Sequence, residues 1–204
     1  VVSGQRPDGV TAKDMMLAIL RTPYVADGHA IGKMVEYCGE AVRDLSIDER
    51  ATMTNMAAEV GAFSGIVCAD EKTVEFLVAE RGMDEAHARE LCVGLESDEG
   101  AEYCHEIVID AESLEPLVAL PGDPGNGLEI SKLEEKVSID IAYGGSCTAG
   151  KKEDMDMYAL VLKAGLEQGQ RVPENVEFWI QFGSQEVKEY CREKGYLDVF
   201  EKAG

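Results

Sequence analysis

Between Val137 and Tyr158 the chain changes hydrophobic period once, and that change limits the folds open to it. VSIDIAY is an apolar run rich in β-branched residues, GGSCTAG a loop of small residues, and KKEDMDMY the start of an amphipathic pattern. Together they spell a strand feeding a helix. Met155, Tyr158 and Leu162 fall at i, i+3 and i+7, with Ala159 and Leu166 on the same side, which makes one buried helical stripe. Open α/β sheets place their chemistry beyond the carboxyl ends of the strands. Cys147 sits at such an end.

Three roles for Cys147 compete. A lone cysteine is often a small buried hydrophobe. With Gly145 and Ala149 two residues to either side it could instead be a nucleophile on a tight elbow, but His29, His87 and His105 all precede it, against the order of the hydrolase elbow. As a ligand of a metal or iron–sulfur centre it would need further thiolates, and the chain contains no C-x-x-C.

The remaining sequence repeats the alternation. Thr11 with Asp14 opens a helix running to about Leu20, and Ser46 with Glu49 forms a capping box for a helix over 47–60, closed by Gly61. Met53, Met56, Ala57 and Val60 form its apolar face, and Asn55 and Glu59 are i, i+4 neighbours on the other side. That polar pair reads as ordinary solvent-facing surface. A strand over 64–68, helices over 71–81 and 84–91, and a strand over 103–109 follow. Pro116, Pro121 and Pro124 impose extended backbone, and 127–136 reads as connector. After the Cys147 unit come a strand over 176–182, inward at Val176, Phe178, Ile180 and Phe182, and a helix capped by Ser184 and ended by Gly195. His29, His87 and His105 have no ligand or base partner nearby in the sequence.

A formal charge of -21, from 19 basic and 40 acidic residues, repels nucleic acid and anionic membrane surfaces. No apolar run reaches the roughly 18 residues of a membrane span. Six cysteines without a framework of spacings read as reduced thiols, which places the protein in the cytoplasm. There is no arginine cluster to grip a polycarboxylate by bidentate pairs.

The string GGSCTAGKKEDM resembles the GSCTN-x-x-x-ED motif of the aconitase and isopropylmalate dehydratase large-subunit family. GVTAKDMMLAIL at 9–20, VEYCGEAVRDLS at 35–46, RATMTNMAAEVGAFSGIVCADEKT at 50–73, LEPLVALPGDPGN at 114–126 and SQEVKEYCREKGYLDVFEKAG at 184–204 resemble its blocks in the same order. The resemblance implies two consecutive three-layer α/β units with mostly parallel sheets: residues 1–120 carrying the NMAAE helix, a linker over 121–136, and 137–204 beginning a second unit with the GSCT loop. It also implies that Cys147 is one of three ligands of a [4Fe–4S] cluster, the other two lying outside this chain, and that Asn55 and Glu59 face the cluster and its bound water. Lys13 and Asp14 match a family pair by motif, although a capped helix start with a solvated lysine explains them better. The implied activity is a hydro-lyase that dehydrates and rehydrates a hydroxy di- or tricarboxylic acid, with a separate small subunit carrying a swivelling domain. The chain then reads as an internal piece that holds no cluster alone. Ala149 stands where the family has Asn, Gly122 and Gly125 where it has histidine and aspartate, and Cys68 where it has Pro. A non-catalytic α/β binding or assembly module on the same scaffold is the alternative. A nucleotide-binding loop is weaker, since GGSCTAG lacks the spacing of either phosphate motif.

Overall fold

A computed structural model describes all residues, Val1–Gly204, as a mixed α/β chain divided into two compact units, Val1–Glu134 and Glu135–Gly204. Three of its four strand pairs are parallel.

In the first unit, β1 (Val2–Ser3) pairs in parallel with β4 (Ile109–Asp110), and β2 (Met34–Tyr37) with β3 (Ser64–Val67). The Val2 N–H donates to the Cys38 carbonyl at 2.8 Å, tying β1 to the end of β2. Helix α1 (Ala12–Leu20) is buried along its whole length except at Lys13, as an apolar-all-round helix must be. Asp14 opens it and is itself buried. One of its carboxylate oxygens accepts from the Thr11 N–H and hydroxyl, both at 2.7 Å, and the other accepts from the Leu117 N–H at 2.7 Å. Asp14 thus fastens the helix start to strand β5 (Leu117–Ala119), and its place is structural.

After a short α2 (Pro23–Ala26) and α3 (Glu40–Asp44), helix α4 spans Ile47–Asn55 behind the expected Ser46–Glu49 capping box. It stops five residues short of the expected end at Val60. From Ala57 onward, hydrogen bonds to the third preceding residue mix with bonds to the fourth, and the chain tightens into turns up to Gly61 at φ +76°. Bending in this way buries Met56, Ala57 and Val60 together with Met53, so packing overrides the good helix propensity of the sequence.

Helix α5 (Glu71–Arg81) ends on Gly82 in the left-handed conformation, as its sequence predicts, and α6 (Glu85–Cys92) follows. The strand expected over 103–109 is reduced to Ile109–Asp110. Its partner β1 has only two residues, and Tyr103 and His105 bond and stack elsewhere. Residues 121–136 are not a plain linker. Strand β6 (Gly127–Glu129) folds back antiparallel on β5, Gly122 turns the tip at φ +105°, and the first unit runs to Glu134. Leu128 and the Arg21–Glu129 ion pair at 2.8 Å replace the solvent a connector would meet.

In the second unit, β7 (Ile141–Gly145) and β8 (Glu177–Gln181) pair in parallel, with α8 (Lys152–Glu167), α9 (Gln185–Glu193) and α10 (Tyr196–Ala203) packed around Met155, Ala159, Val187, Cys191 and Phe200. The predicted stripe of α8 is inward: Met155 and Ala159 are fully buried, and Tyr158 and Leu162 pack beside them. Phe178 and Ile180 also face in, while Trp179 and Tyr143 are exposed on the outer face.

Candidate active-site elements

The Cys147 loop is a single helical turn, α7 (Ser146–Ala149), set directly on the end of β7. Ser146 has φ +72° and is the only non-glycine residue with positive φ. Such strain persists only where the surroundings hold it, and it gathers at functional sites. What holds it here is close backbone packing. A Cβ at Gly145 would lie 2.0 Å from the Gln181 carbonyl oxygen, and one at Gly150 would lie 2.3 Å from that of Ser146. The Gly183 N–H donates to the Gly150 carbonyl at 2.8 Å. From α8, the Tyr158 hydroxyl donates to the Ala149 carbonyl at 2.9 Å, and Lys151, the residue just before that helix, donates through Nζ to that of Thr148 at 2.7 Å. Burial, with the Asp154 charge beside it, pushes the Tyr158 phenol up to about 12, so it stays a donor at any physiological pH.

The turn presents Cys147 to solvent, unlike Cys191, which is fully buried in the core. The small-hydrophobe role therefore falls to Cys191. No disulfide links the six cysteines, and no three His, Cys, Asp or Glu side chains gather as a metal centre would require. An exposed thiol on a rigid backbone at a strand's carboxyl end fits one ligand position of an iron–sulfur cluster.

In the first unit Asn55 closes α4 and Glu59 lies on the tightened turn after it, both exposed. Earlier in α4, buried Arg50 ties the helix to its neighbours: its two terminal nitrogens reach the Asp70 carboxylate at 2.8 and 2.6 Å while one also donates to the Arg43 carbonyl. Hydrogen bonding from Arg50 holds the Asp70 carboxyl below its usual range.

A second cluster escapes sequence reasoning. The Glu36 carboxylate accepts from Ser97 Oγ at 2.6 Å, Tyr103 Oη at 2.7 Å and Cys68 Sγ at 3.5 Å. Those bonds, the Ser97 and Tyr103 hydroxyls foremost, lower its pKa, while burial raises that of Cys68. Ser97 and Tyr103 are 61 and 67 residues from Glu36, so no local pattern could have joined them. Of the histidines, His105 stacks on Tyr24 at 3.8 Å, His29 packs against the same ring, and His87 lies 3.8 Å from Glu90.

One α/β unit thus carries Asn55 and Glu59 at and just after the end of α4, and the other a glycine-cradled thiol beyond the end of β7. The model of the aconitase family (aconitate hydratase) matches residues 1–138 and 133–204, and the chain belongs to that family. Among its relatives, the 3-isopropylmalate dehydratase large subunit of Sulfurimonas denitrificans is 38% identical over 204 residues, covering 100% of this chain and 46% of that protein. Those of Wolinella succinogenes and Picrophilus torridus are 36% and 35% identical, again over 100% of this chain but 46% and 45% of their own lengths. The chain spans about half the length of these relatives.

Proposed function

We propose that this chain is part of an iron–sulfur hydro-lyase of the isopropylmalate dehydratase kind, which dehydrates and rehydrates a hydroxy di- or tricarboxylic acid in the cytoplasm. The observation that carries the reading is Cys147: an exposed thiol on a strained, glycine-cradled turn, inside a family match that spans the chain. Cys147 would supply one thiolate to a [4Fe–4S] cluster, with two more from polypeptide outside these residues. The cluster, when bound, supplies a Lewis-acidic iron for the substrate hydroxyl and carboxylate.

The chain's own residues then orient and hold protons. Glu59 accepts or donates a hydrogen bond at the substrate oxygen, and Asn55, one turn earlier, orients Glu59 or the cluster edge. Arg6, Arg21, Arg50, Arg89 and Arg192 are each engaged by a carboxylate of this chain. With no cluster of arginines in the sequence, the guanidinium groups that grip the substrate would come from elsewhere in the longer polypeptide or from a small subunit, a partner suggested by the relatives' name "large subunit". At -21, the chain is not built to bind nucleic acid or anionic membrane, and no helix is long and apolar enough to cross a membrane.

The test is anaerobic reconstitution, with iron and sulfide, of a polypeptide of the relatives' full length, with and without Cys147→Ser. The expected outcome is a cluster chromophore and hydro-lyase turnover in the unsubstituted protein, both lost with Cys147→Ser. Unchanged iron and sulfide content in Cys147→Ser would overturn the proposal in favour of a non-catalytic module.

A further inference from the structure

Two buried side-chain polar atoms have no hydrogen-bond partner, the Arg50 Nε and the Tyr37 hydroxyl. Arg50 is otherwise saturated by Asp70 and the Arg43 carbonyl. Tyr37 is different, because its hydroxyl is its only polar group and nothing in the fold uses it. Buried hydroxyls are almost always paired, and an orphan calls for an explanation. Tyr37 is 3% exposed at the end of β2, and its ring lies beneath the turn that follows α4. A Cβ built on Gly65 would meet Tyr37 Cε2 at 2.9 Å, Ala57 Cβ at 3.0 Å and Thr54 Cα at 3.1 Å, so ring and turn share one tight space. Ala57 is two residues before Glu59, and Thr54 directly precedes Asn55. Burial first, and the Glu59 charge second, hold the phenol well above its ordinary range. The hydroxyl therefore keeps its proton, and Glu59, two residues beyond Ala57 on the turn that shares its space, is a carboxylate within its electrostatic reach.

We propose that Tyr37 is a positioning residue for Glu59: its buried hydroxyl donates a hydrogen bond to the Glu59 carboxylate when that side chain folds over the turn, selecting one orientation for it. This rests on Glu59 belonging to the active site. The turn is suited to such a movement, because its backbone bonds from Ala58 and Val60 are long, at 3.5 and 3.4 Å. A phenol fixed by packing has little orientational freedom to lose on making the bond.

Two measurements on the 204-residue chain test the bond without any cluster. With tyrosine labelled at Cζ, Glu59→Gln should move the Tyr37 resonance at neutral pH and leave those of Tyr158 and Tyr190 in place. In a urea-unfolding cycle, Tyr37→Phe and Glu59→Gln should be non-additive. In the reconstituted full-length enzyme, Tyr37→Phe, which keeps the ring, should lower kcat about tenfold with little change in KM, the loss expected for one hydrogen bond to a charged group. A Tyr37 resonance indifferent to Glu59→Gln, together with additive stabilities, overturns the proposal. Full turnover in Glu59→Gln would instead remove Glu59 from the active site, whether or not the two side chains bond.

Discussion

Arg50 and Asp70 show how one residue pair can join two helices, α4 and the start of α5. Arg50 is 4% exposed, and its charge is neutralised by a single bidentate partner. Removing one member of such a pair leaves the other charge buried. Asp70→Asn should therefore destabilise the chain by about 3 kcal/mol in urea unfolding. Because the native Asp70 pKa is depressed, its contribution is complete above the ordinary carboxylate range near pH 4 and is lost as pH falls through the native value. Stability measured against pH should fall on the acid side in the unsubstituted chain, and by less in Asp70→Asn. Gly65 makes a steric counterpart, since a methyl there meets the Tyr37 ring, Ala57 and the backbone at Thr54 within 3.1 Å. Gly65→Ala should cost about 2 kcal/mol by the same assay, as overpacking does.

At the scale of elements, the Cys147 turn depends on its neighbours more than on its own four residues. A helix this short has almost no intrinsic stability, and α8 holds it through the Tyr158 hydroxyl. Tyr158→Phe should cost about 1 kcal/mol and speed amide hydrogen exchange at residues 146–150, while the stripe of Met155, Ala159 and Leu162 keeps α8 intact. Exchange unchanged in that segment would show the turn to be held by its glycine contacts alone. The helix after Ser46 teaches the converse. Its start follows from the capping box and its C-terminal glycine is real, yet regular helix ends at Asn55, because burying Met56, Ala57 and Val60 in one core requires a tighter path than the periodicity supplies.

For the whole molecule, the charge of -21 is the dominant long-range term. Self-repulsion opposes the compact state, and its range shrinks from about 30 Å at 0.01 M salt to about 8 Å at 0.15 M. Thermal melting should therefore move upward over that interval, by roughly 3 °C for each kcal/mol of repulsion screened. A melting temperature independent of salt would mean that the local ion pairs already compensate the excess charge. Leu160 and Val161 on α8, Met34 and Ile66 on β2 and β3, and Trp179 on β8 are all exposed. Parallel sheets normally have both faces covered, and here these side chains leave one face of each pair open.

The sequence by itself determined whatever is decided within a few residues: the caps at Thr11, Ser46 and Ser184, the glycine stops at 82 and 195, the inward stripe of α8, the alternation of β8, and the small-residue loop that carries Cys147. These features rest on backbone dihedrals and side-chain period, which neighbours in sequence dictate. Tertiary structure alone decided that Ser146 is strained, that 127–129 folds back as a strand, that Glu36 gathers Ser97, Tyr103 and Cys68, and that the Tyr37 hydroxyl is buried beneath the Asn55–Gly61 turn without a partner. Each of these joins groups far apart along the chain, and which groups meet is fixed by how the core closes, a property that no single stretch of sequence carries.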